Sequence, residues 1–446
     1  MRYEENINTS ILLAEKVAEK GGRAYYVGGF VRDRLKGIEN KDLDIEVHGI
    51  APDILEDILA SLGGFISAGK SFGVYKLAHH SIDVAMPRKE TLTGKGHRDF
   101  KIDVDPFIGT QKAAMRRDFT INAIMQDVLT GEIVDHFAGL DDLKQGILRH
   151  INAASFVEDP LRVLRAAQFA ARFNFTVAPE TAELCKSIDL KNLSSERVLE
   201  ELKKALLKAE KPSIFFDTLR QMNHLSLWFS EVEKLIGIPQ HSFHHKEGDV
   251  WTHTMMVLDE AASVREKAES PFCFMLSALA HDFGKITSTE FVKGDYHAYF
   301  HEIEGLPIVK EFLHRITNEN ALFSYVLNMT ELHMKPHTLV ADNSSVKATN
   351  KMFDKSKSPN DLILLSLCDG KGKIPAKNSE AAEKFLKERL DVFKEYMSRP
   401  YVTGQDLIAA GIKQGEEFKK LLEFAHKLRL SGVGKKEALS QILKFR

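Results

Sequence analysis

The run YYVGGFVRDRLKGIENKDLDIEVHG, residues 25–49, limits the fold of this chain more than any other stretch. Tyr25-Tyr26-Val27 reads as a strand. Gly28-Gly29 breaks it, and FVRDRLKG reads as a short helix ended by Gly37. Lys41 to Val47 then alternates polar and apolar residues, as a half-buried strand does. Strand residues two apart point the same way, so Asp42 and Asp44 share a face with Leu43 and Ile45 behind them. Two carboxylates side by side repel unless a cation lies between them. A hard ion such as Mg²⁺ takes this ligation, often completed by substrate phosphates. Gly28 and Gly29 let backbone N–H groups and a helix N-terminus approach a triphosphate. Glu46 extends the acidic face, so an isolated segment of this kind also reads as an ordinary amphipathic strand. Downstream segments decide between the two.

A length of 446 residues suggests about three domains. Hydrophobic content of 43% leaves ample material for several cores. The net charge of −2 excludes a global basic field, so a nucleic-acid partner must be held by local patches. Cys185, Cys273 and Cys368 are far apart and have no metal-type spacing, which fits a reduced, cytoplasmic compartment. MRYEENINTS lacks a basic-then-apolar signal pattern. No run of about eighteen apolar residues occurs, so no membrane helix is expected.

Strand-like runs concentrate before residue 140: AYYVGG, DLDIEVHG, FGVYKLAHHSIDVAM and GEIVDHF. Beyond it the pattern is mainly helical, in PLRVLRAAQFAARF, SERVLEELKKALLK, WTHTMMVLDEAASV, PFCFMLSALAHDFGK, DLILLSLCDG and AAEKFLKERLDVFKEYM. An α/β head with a long all-α remainder follows. Residues 88–111 are charged, glycine-containing and poorly periodic, and read as a mobile active-site loop or as disorder.

Asp83 in SIDVAMPR lies on a strand whose hairpin partner is YKLAHHS. It can bring a third carboxylate to the same sheet face, or be a plain surface aspartate. Arg116 to Asn122 reads as a helix start. Asp118 and Asn122, beside Arg116 and Arg117, can grip a ribose and its phosphates, or form a solvated charged turn. Glu158-Asp159-Pro160 opens the next helix, with Asp159 a good N-cap. Capping does not explain the stripe of Arg162, Arg165, Phe169 and Arg172, and a planar arginine beside a fixed carboxylate can hydrogen-bond a base edge. Glu196 and Arg197 read as a structural helix cap.

Together these segments resemble the class II tRNA nucleotidyltransferases and bacterial poly(A) polymerases over roughly residues 20–240. GGFVRD with DLD looks like motif A, RRDFTINA like motif B, EDPLRVLRAAQFAARF like motif D and SSERVLEELKKAL like motif E. The resemblance implies a head with a small mixed β-sheet of the polymerase-β type. It also implies that Asp42 and Asp44 bind the catalytic metals, Mg²⁺, with Asp83 beside them. Gly28, Gly29, Arg32, Arg116, Arg117, Asp118 and Asn122 would hold the nucleotide. Asp159 and Arg162, with Arg165, would template the incoming base. The expected partners are tRNA, CTP and ATP, and the expected product is a CCA end. An A-adding enzyme, a CC-adding enzyme and a poly(A) polymerase share these motifs. The loop at 88–111 argues against a CC-only enzyme.

His253, His281-Asp282 and Asp369 resemble the tetrad of an HD-domain phosphohydrolase, with His301 and His333 as further candidate ligands. Imidazole and carboxylate together suit a divalent ion such as Ni²⁺, Mn²⁺ or Zn²⁺ that activates water. In residues 402–427, Gly404, Gly411 and Gly415 punctuate a helix-turn-helix whose lysines can touch an RNA backbone, or a plain helical hairpin. The expected division is a head at 1–145, a helical RNA-binding neck at 146–240, an HD domain at 241–375 and a tRNA-contacting tail at 376–446. A phosphohydrolase with a degenerate head and a non-catalytic RNA-binding protein are the competing classes. The intact DLD, RRD and EDPLR segments speak against the first, and two carboxylate sets against the second.

Overall fold

The computed structural model describes residues 2–67, 73–92, 100–243, 245–376 and 379–444. The chain forms two compact units. One comprises Met1–Leu202 and Ile214–His224, the other Lys203–Ser213 and Leu225–Arg446.

The first unit contains strands β1 (Arg23–Tyr26), β2 (Leu43–His48), β3 (Phe65–Ser67), β4 (Val74–Leu77), β5 (Ile82–Ala85), β6 (Arg88–Leu92), β7 (Phe100–Val104), β8 (Met125–Asp127) and β9 (Ile133–Val134). Seven of them make one sheet in the order β3-β4-β5-β2-β1-β8-β9. β2 and β5 run parallel, and the other pairs are antiparallel, so the sheet is mixed as expected. Leu43, Ile45 and Val47 are fully buried on one face of β2, with Ile82 and Val84 beside them on β5. The helices Arg2–Glu19 and Pro52–Ser61 add Leu13, Val17, Leu55 and Leu59 to the same core.

Two expectations change here. The segment read as a loop at 88–111 contains the antiparallel ribbon β6–β7, in register from Arg88↔Val104 to Leu92↔Phe100. β6, RKETL, carries a single large apolar residue, so hydrophobic periodicity does not announce it. Residues 93–99, the middle of the expected mobile loop, lie outside the described residues. The helix start expected at Arg116 is also displaced. Helices span Thr110–Ala114 and Thr120–Ala123, and the basic pair lies between them.

The second unit is built on the helices Val250–Val264, Pro271–Ala280, His301–Ile316, Asn320–Leu332 and Pro359–Lys371. Phe274, Leu279, Phe283, Phe312, Val326 and Leu365 are buried among them. A β-hairpin, Thr289–Val292 with Asp295–Ala298, interrupts this helical region. Its turn is Lys293-Gly294, both at positive φ (53° and 90°), the backbone that matches the twist of a two-residue hairpin. Helices Gly404–Ala409, Glu416–Leu430 and Lys435–Lys444 share a small core of Leu407, Leu421, Ala425 and Ile442. A capping box of Thr403 and Asp406 starts the first. Among the described residues no helix is long and apolar enough to cross a membrane.

Candidate active site and metal centre

The parallel register of β2 and β5 sets Asp44 directly opposite Asp83, so both carboxylates leave the sheet on one face. Asp42 precedes β2 by one residue and is exposed, its N–H donating to Asn40 Oδ1 at 3.1 Å. Burial pushes the Asp44 carboxyl up to about 6, with Asp83 adding to the rise and Arg117 opposing it. A cation against these oxygens would remove that strain. Gly28 has φ +65°, and a Cβ there would lie 3.2 Å from Arg117 Nη1 and 3.6 Å from Asp44 Oδ2. A side chain would therefore crowd the carboxylate site, and glycine fits the backbone.

Glu46 does not extend an exposed acidic face. It is 1% exposed and paired with His48 Nε2 at 3.0 Å, Arg117 Nη2 at 3.2 Å and Arg116 Nη2 at 3.4 Å. Burial alone would raise its carboxyl, but His48, Arg117 and Arg116 hold it at about 2. The amphipathic surface-strand reading fails for this reason: beyond Asp44 both faces of β2 are covered.

A continuous polar network joins this edge to the helix Leu161–Phe173. Buried Asp33, which sequence reasoning missed, accepts from Arg32 Nε at 2.8 Å, Asn40 Nδ2 at 3.0 Å and Arg172 Nη2 at 3.3 Å. Arg32 Nη1 donates to Asn122 Oδ1 at 2.6 Å, Asn122 Nδ2 to Asp118 Oδ1 at 2.8 Å, and Arg165 Nε to Asp118 Oδ2 at 2.7 Å. The Arg32 guanidinium lies over the Phe173 and Phe169 rings at 4.6 and 5.1 Å. Asp118 and Asn122 are thus buried, not solvated. Burial would raise Asp118, but Arg165 and Asn122 hold it below the usual carboxylate range. The one cue to Asp33 was its adjacency to Arg32.

Asp159 accepts the Leu161 N–H at 3.2 Å, as a capping residue does, and also pairs with Arg197 Nη2 at 3.0 Å. Arg162 donates to the carbonyls of Ser155 at 2.7 Å and Arg116 at 2.6 Å. Both side chains are braced. Arg197, read from sequence as a cap alone, is one of the braces.

In the second unit His253 and Asp369 lie on two helices, and His281 and Asp282 in the turn after a third, Pro271–Ala280, and the four converge. His253 Nε2 is 3.2 Å from Asp369 Oδ1 and 3.5 Å from Asp282 Oδ2, and His281 Nε2 is 3.2 Å from Asp282 Oδ2. His301 and His333 join them, with Nε2 atoms 3.2 and 3.8 Å from Asp282 Oδ1. Nε2 of His253 and His281 and Oδ2 of Asp282 are buried without a well-formed hydrogen bond, the condition a metal ion relieves. Burial would raise both aspartates, but His281 and Lys285 hold Asp282 well below the usual range, and Lys373 and His337 do so for Asp369. Both carboxylates are therefore ionised. Burial, His301 and His281 push His333 well down, which keeps it neutral.

Sequence reasoning missed His245, Glu247, Lys285, His337 and Lys373. Glu247 pairs with His245 Nδ1 at 2.7 Å and His253 Nδ1 at 3.2 Å. Lys285 and Lys373 reach Asp282 at 2.8 Å and Asp369 at 3.0 Å. The spacing of Lys285 and Lys373, three and four residues after their aspartates, was the available cue. A cavity of about 230 Å³ opens on the cluster, lined among others by His245, Asp282, Lys285, His301, Asp369 and Lys373.

Three family models match parts of the chain. Residues 24–149 match the family model described as "Poly A polymerase head domain". Residues 174–236 match "Probable RNA and SrmB- binding site of polymerase A", and residues 250–370 the HD domain. A protein of Actinobacillus pleuropneumoniae named Multifunctional CCA protein is 34% identical over 421 residues, covering 92% of this chain and 98% of the relative. One of that name from Pasteurella multocida is 35% identical over 405 residues, covering 88% and 93%. The Thermotoga maritima CCA-adding enzyme complexed with tRNA(CCA) superposes with a TM-score of 0.64 at 22% identity, over 100% of this chain and 98% of that one. The Bacillus stearothermophilus CCA-adding enzyme in complex with CTP does so with a TM-score of 0.68 at 19% identity, over 98% and 97%. These two structures share the fold.

Proposed function

We propose, of a chain that belongs to the family of the multifunctional CCA proteins, that it adds C, C and A to the 3′ end of tRNA, using CTP and ATP and no nucleic-acid template. The observation that carries this reading is the register of β2 and β5, which gathers Asp44 and Asp83 beside Asp42 at a glycine-lined edge. Asp42 and Asp44 are the residues to hold Mg²⁺. Bound there, it supplies charge neutralisation and a lower pKa for the terminal 3′-hydroxyl. The hydroxyl oxygen attacks the α-phosphorus in line and pyrophosphate leaves. Arg116 and Arg117 face the phosphates, Asp118 and Asn122 the ribose, and Asp159, Arg162 and Arg165 the base. The buried network through Asp33, Arg32 and Asn122 keeps these groups in one geometry before substrate arrives.

The division into head (1–145), neck (146–240), HD domain (241–375) and tail (376–446) belongs to this reading, with the helical parts meeting the tRNA backbone in the cytoplasm. The buried histidine–aspartate cluster fits a divalent metal such as Ni²⁺, Mn²⁺ or Zn²⁺ and hydrolysis of a phosphate ester, including a 2′,3′-cyclic phosphate.

The test offers a tRNA lacking CCA with CTP alone, ATP alone and both, followed by sequencing of the products. The expected result is CC with CTP alone and CCA with both. Addition of A to a CC end alone, or a run of A, would replace this reading. Asp42→Ala and Asp44→Ala should each abolish addition while leaving the melting temperature and tRNA binding close to wild type.

A further inference from the structure

The cavity that opens on the histidine–aspartate cluster is lined by two unlike sets of residues. Asp282, Asp369, Lys285 and Lys373 are charged, and the two ammonium groups suit a phosphate. His241, Tyr296, His297 and Tyr299 are aromatic. They come from the hairpin Thr289–Ala298, the residue after it, and the segment before the helix Val250–Val264. Adding water to phosphorus needs no aromatic ring, so hydrolysis leaves the second set unexplained.

These rings are held in order. On the strand Asp295–Ala298 residues two apart share a face, so Asp295, His297 and, one residue past the strand's end, Tyr299 follow one line. The His297 and Tyr299 rings are nearly parallel, with 4° between their planes and 5.3 Å between their centroids. His241 meets His297 edge-on at 5.1 Å. Asp295 fixes that contact, because it accepts the Ser242 N–H at 3.1 Å and the Ser242 hydroxyl at 2.7 Å, with His241 Nδ1 at 3.4 Å. The neighbouring Gln240 accepts from Lys285 Nζ at 2.8 Å, and the same ammonium reaches Asp282 at 2.8 Å. At the other end His301 Nδ1 donates to the Ala298 carbonyl at 2.9 Å. Phe300 has φ 57°, a left-handed backbone that is costly for an aromatic residue, and turns the chain between exposed Tyr299 and buried His301. Residues two apart lie within about 7 Å of each other, a gap that one ribose bridges.

We propose that Tyr299 and His297 are the specificity residues of this cavity: they stack the base of a nucleotide whose phosphate lies toward Lys285 and Lys373. Two parallel rings are a stack that a third flat ring extends, and Tyr299, 58% exposed, has ring surface to give. Every base has a π-face, so the subsite takes any of the four and rejects phosphate esters without a base. Stacking on an aromatic side chain is worth about five- to 150-fold in affinity per base. The proposal rests on the phosphohydrolase reading of the cluster and adds to it the residues that choose the substrate.

The test separates stacking from hydrolysis. The full chain, supplied with Ni²⁺, is offered adenosine 2′,3′-cyclic phosphate and glycerol 1,2-cyclic phosphate, which has the same phosphate ring and no base. In both, water oxygen bonds to phosphorus, one ring P–O bond breaks, and the departing oxygen takes a proton from that water, leaving a monoester. The adenosine ester should have the higher kcat/KM by about tenfold or more. Tyr299→Ala, checked by circular dichroism for retained fold, should bring that ratio toward one, raising KM for the adenosine ester more than it lowers kcat. Tyr299→Phe should keep the ratio. A ratio that Tyr299→Ala leaves at its wild-type value, or a wild type without preference, overturns the subsite. An oligoribonucleotide ending in a 2′,3′-cyclic phosphate, run beside the mononucleotide, shows by the higher kcat/KM whether the nucleotide is free or an RNA 3′ end. Binding is read apart from turnover by calorimetric titration of adenosine 2′-monophosphate into wild type and Tyr299→Ala, where affinity of the head cancels in the difference. Weaker binding to the variant, with no turnover of either ester, would retire the phosphohydrolase reading and keep the subsite. Equal binding overturns the subsite whatever the turnover.

Discussion

Glu46 has almost no water to solvate its charge, and two guanidiniums and an imidazole take water's place. Removing one partner of such a buried set leaves the others' desolvation uncompensated. Glu46→Ala should therefore destabilise the first unit by about 3 kcal/mol, read from the denaturant midpoint, and Glu46→Gln by less. It should also weaken CTP and ATP binding, because Arg116 and Arg117 lose the anchor that aims them. An unchanged midpoint in Glu46→Ala would mean that the arginines find another partner. Asp33 has the same character, because one buried carboxylate positions Arg32, Arg172 and Asn40 together.

At the scale of elements, the histidine–aspartate cluster depends on a close approach of two backbones. A Cβ on Gly284 would lie 1.9 Å from the His301 carbonyl and 2.7 Å from the Gly305 nitrogen. No rotamer relieves a clash with backbone, so the helix His301–Ile316 would have to move. Gly284→Ala should cost about 2–3 kcal/mol of stability and lower metal retention, because His301 moves with its helix. Equal metal content in the variant and wild type would show that the ligand positions tolerate the shift. A second element contact gives a pH prediction. Glu231, on the helix Ser230–Glu233, takes Arg315 in a two-pronged pair at 2.6 and 2.7 Å. Burial would raise the Glu231 carboxyl, but Arg315 and nearby backbone N–H groups hold it below its ordinary 4.5. A depressed carboxyl contributes stability that is fully present above the unfolded value and lost as pH falls through the folded one. The stability gap between wild type and Glu231→Gln should stay constant above about pH 5.5 and shrink below 4.5. A gap that widens in acid would contradict the pairing.

For the whole molecule, the carboxylate edge and the histidine cluster lie in different compact units, each with its own buried core. His281→Ala should remove phosphohydrolase turnover and leave the rate of CCA addition unchanged. Steady-state assays of both activities on one preparation check this. A parallel loss of nucleotide addition would mean that the second unit's integrity is required by the first.

Local pattern alone determined the strand–glycine–helix–strand start, the paired aspartates and the helical stretches after residue 140. Each of these is written in periodicity or spacing within a few residues, the range over which side chains on one element share a face. Only the tertiary structure decided which carboxylates meet. Asp83 stands opposite Asp44 because β5 pairs parallel with β2, a long-range choice that no local period encodes. The same holds for Glu46, whose alternation looks solvent-facing until Arg116 and Arg117 cover it. It holds for β6, which pairs with β7 although no apolar period in its sequence announces a strand. Asp33, Glu247 and Lys373 acquire their roles from partners brought in by other elements, and Arg197 from the fold that carries its helix back to Asp159. Sequence spacing reports what one element presents. The burial and charge that turn those groups into a site come from how the elements are packed.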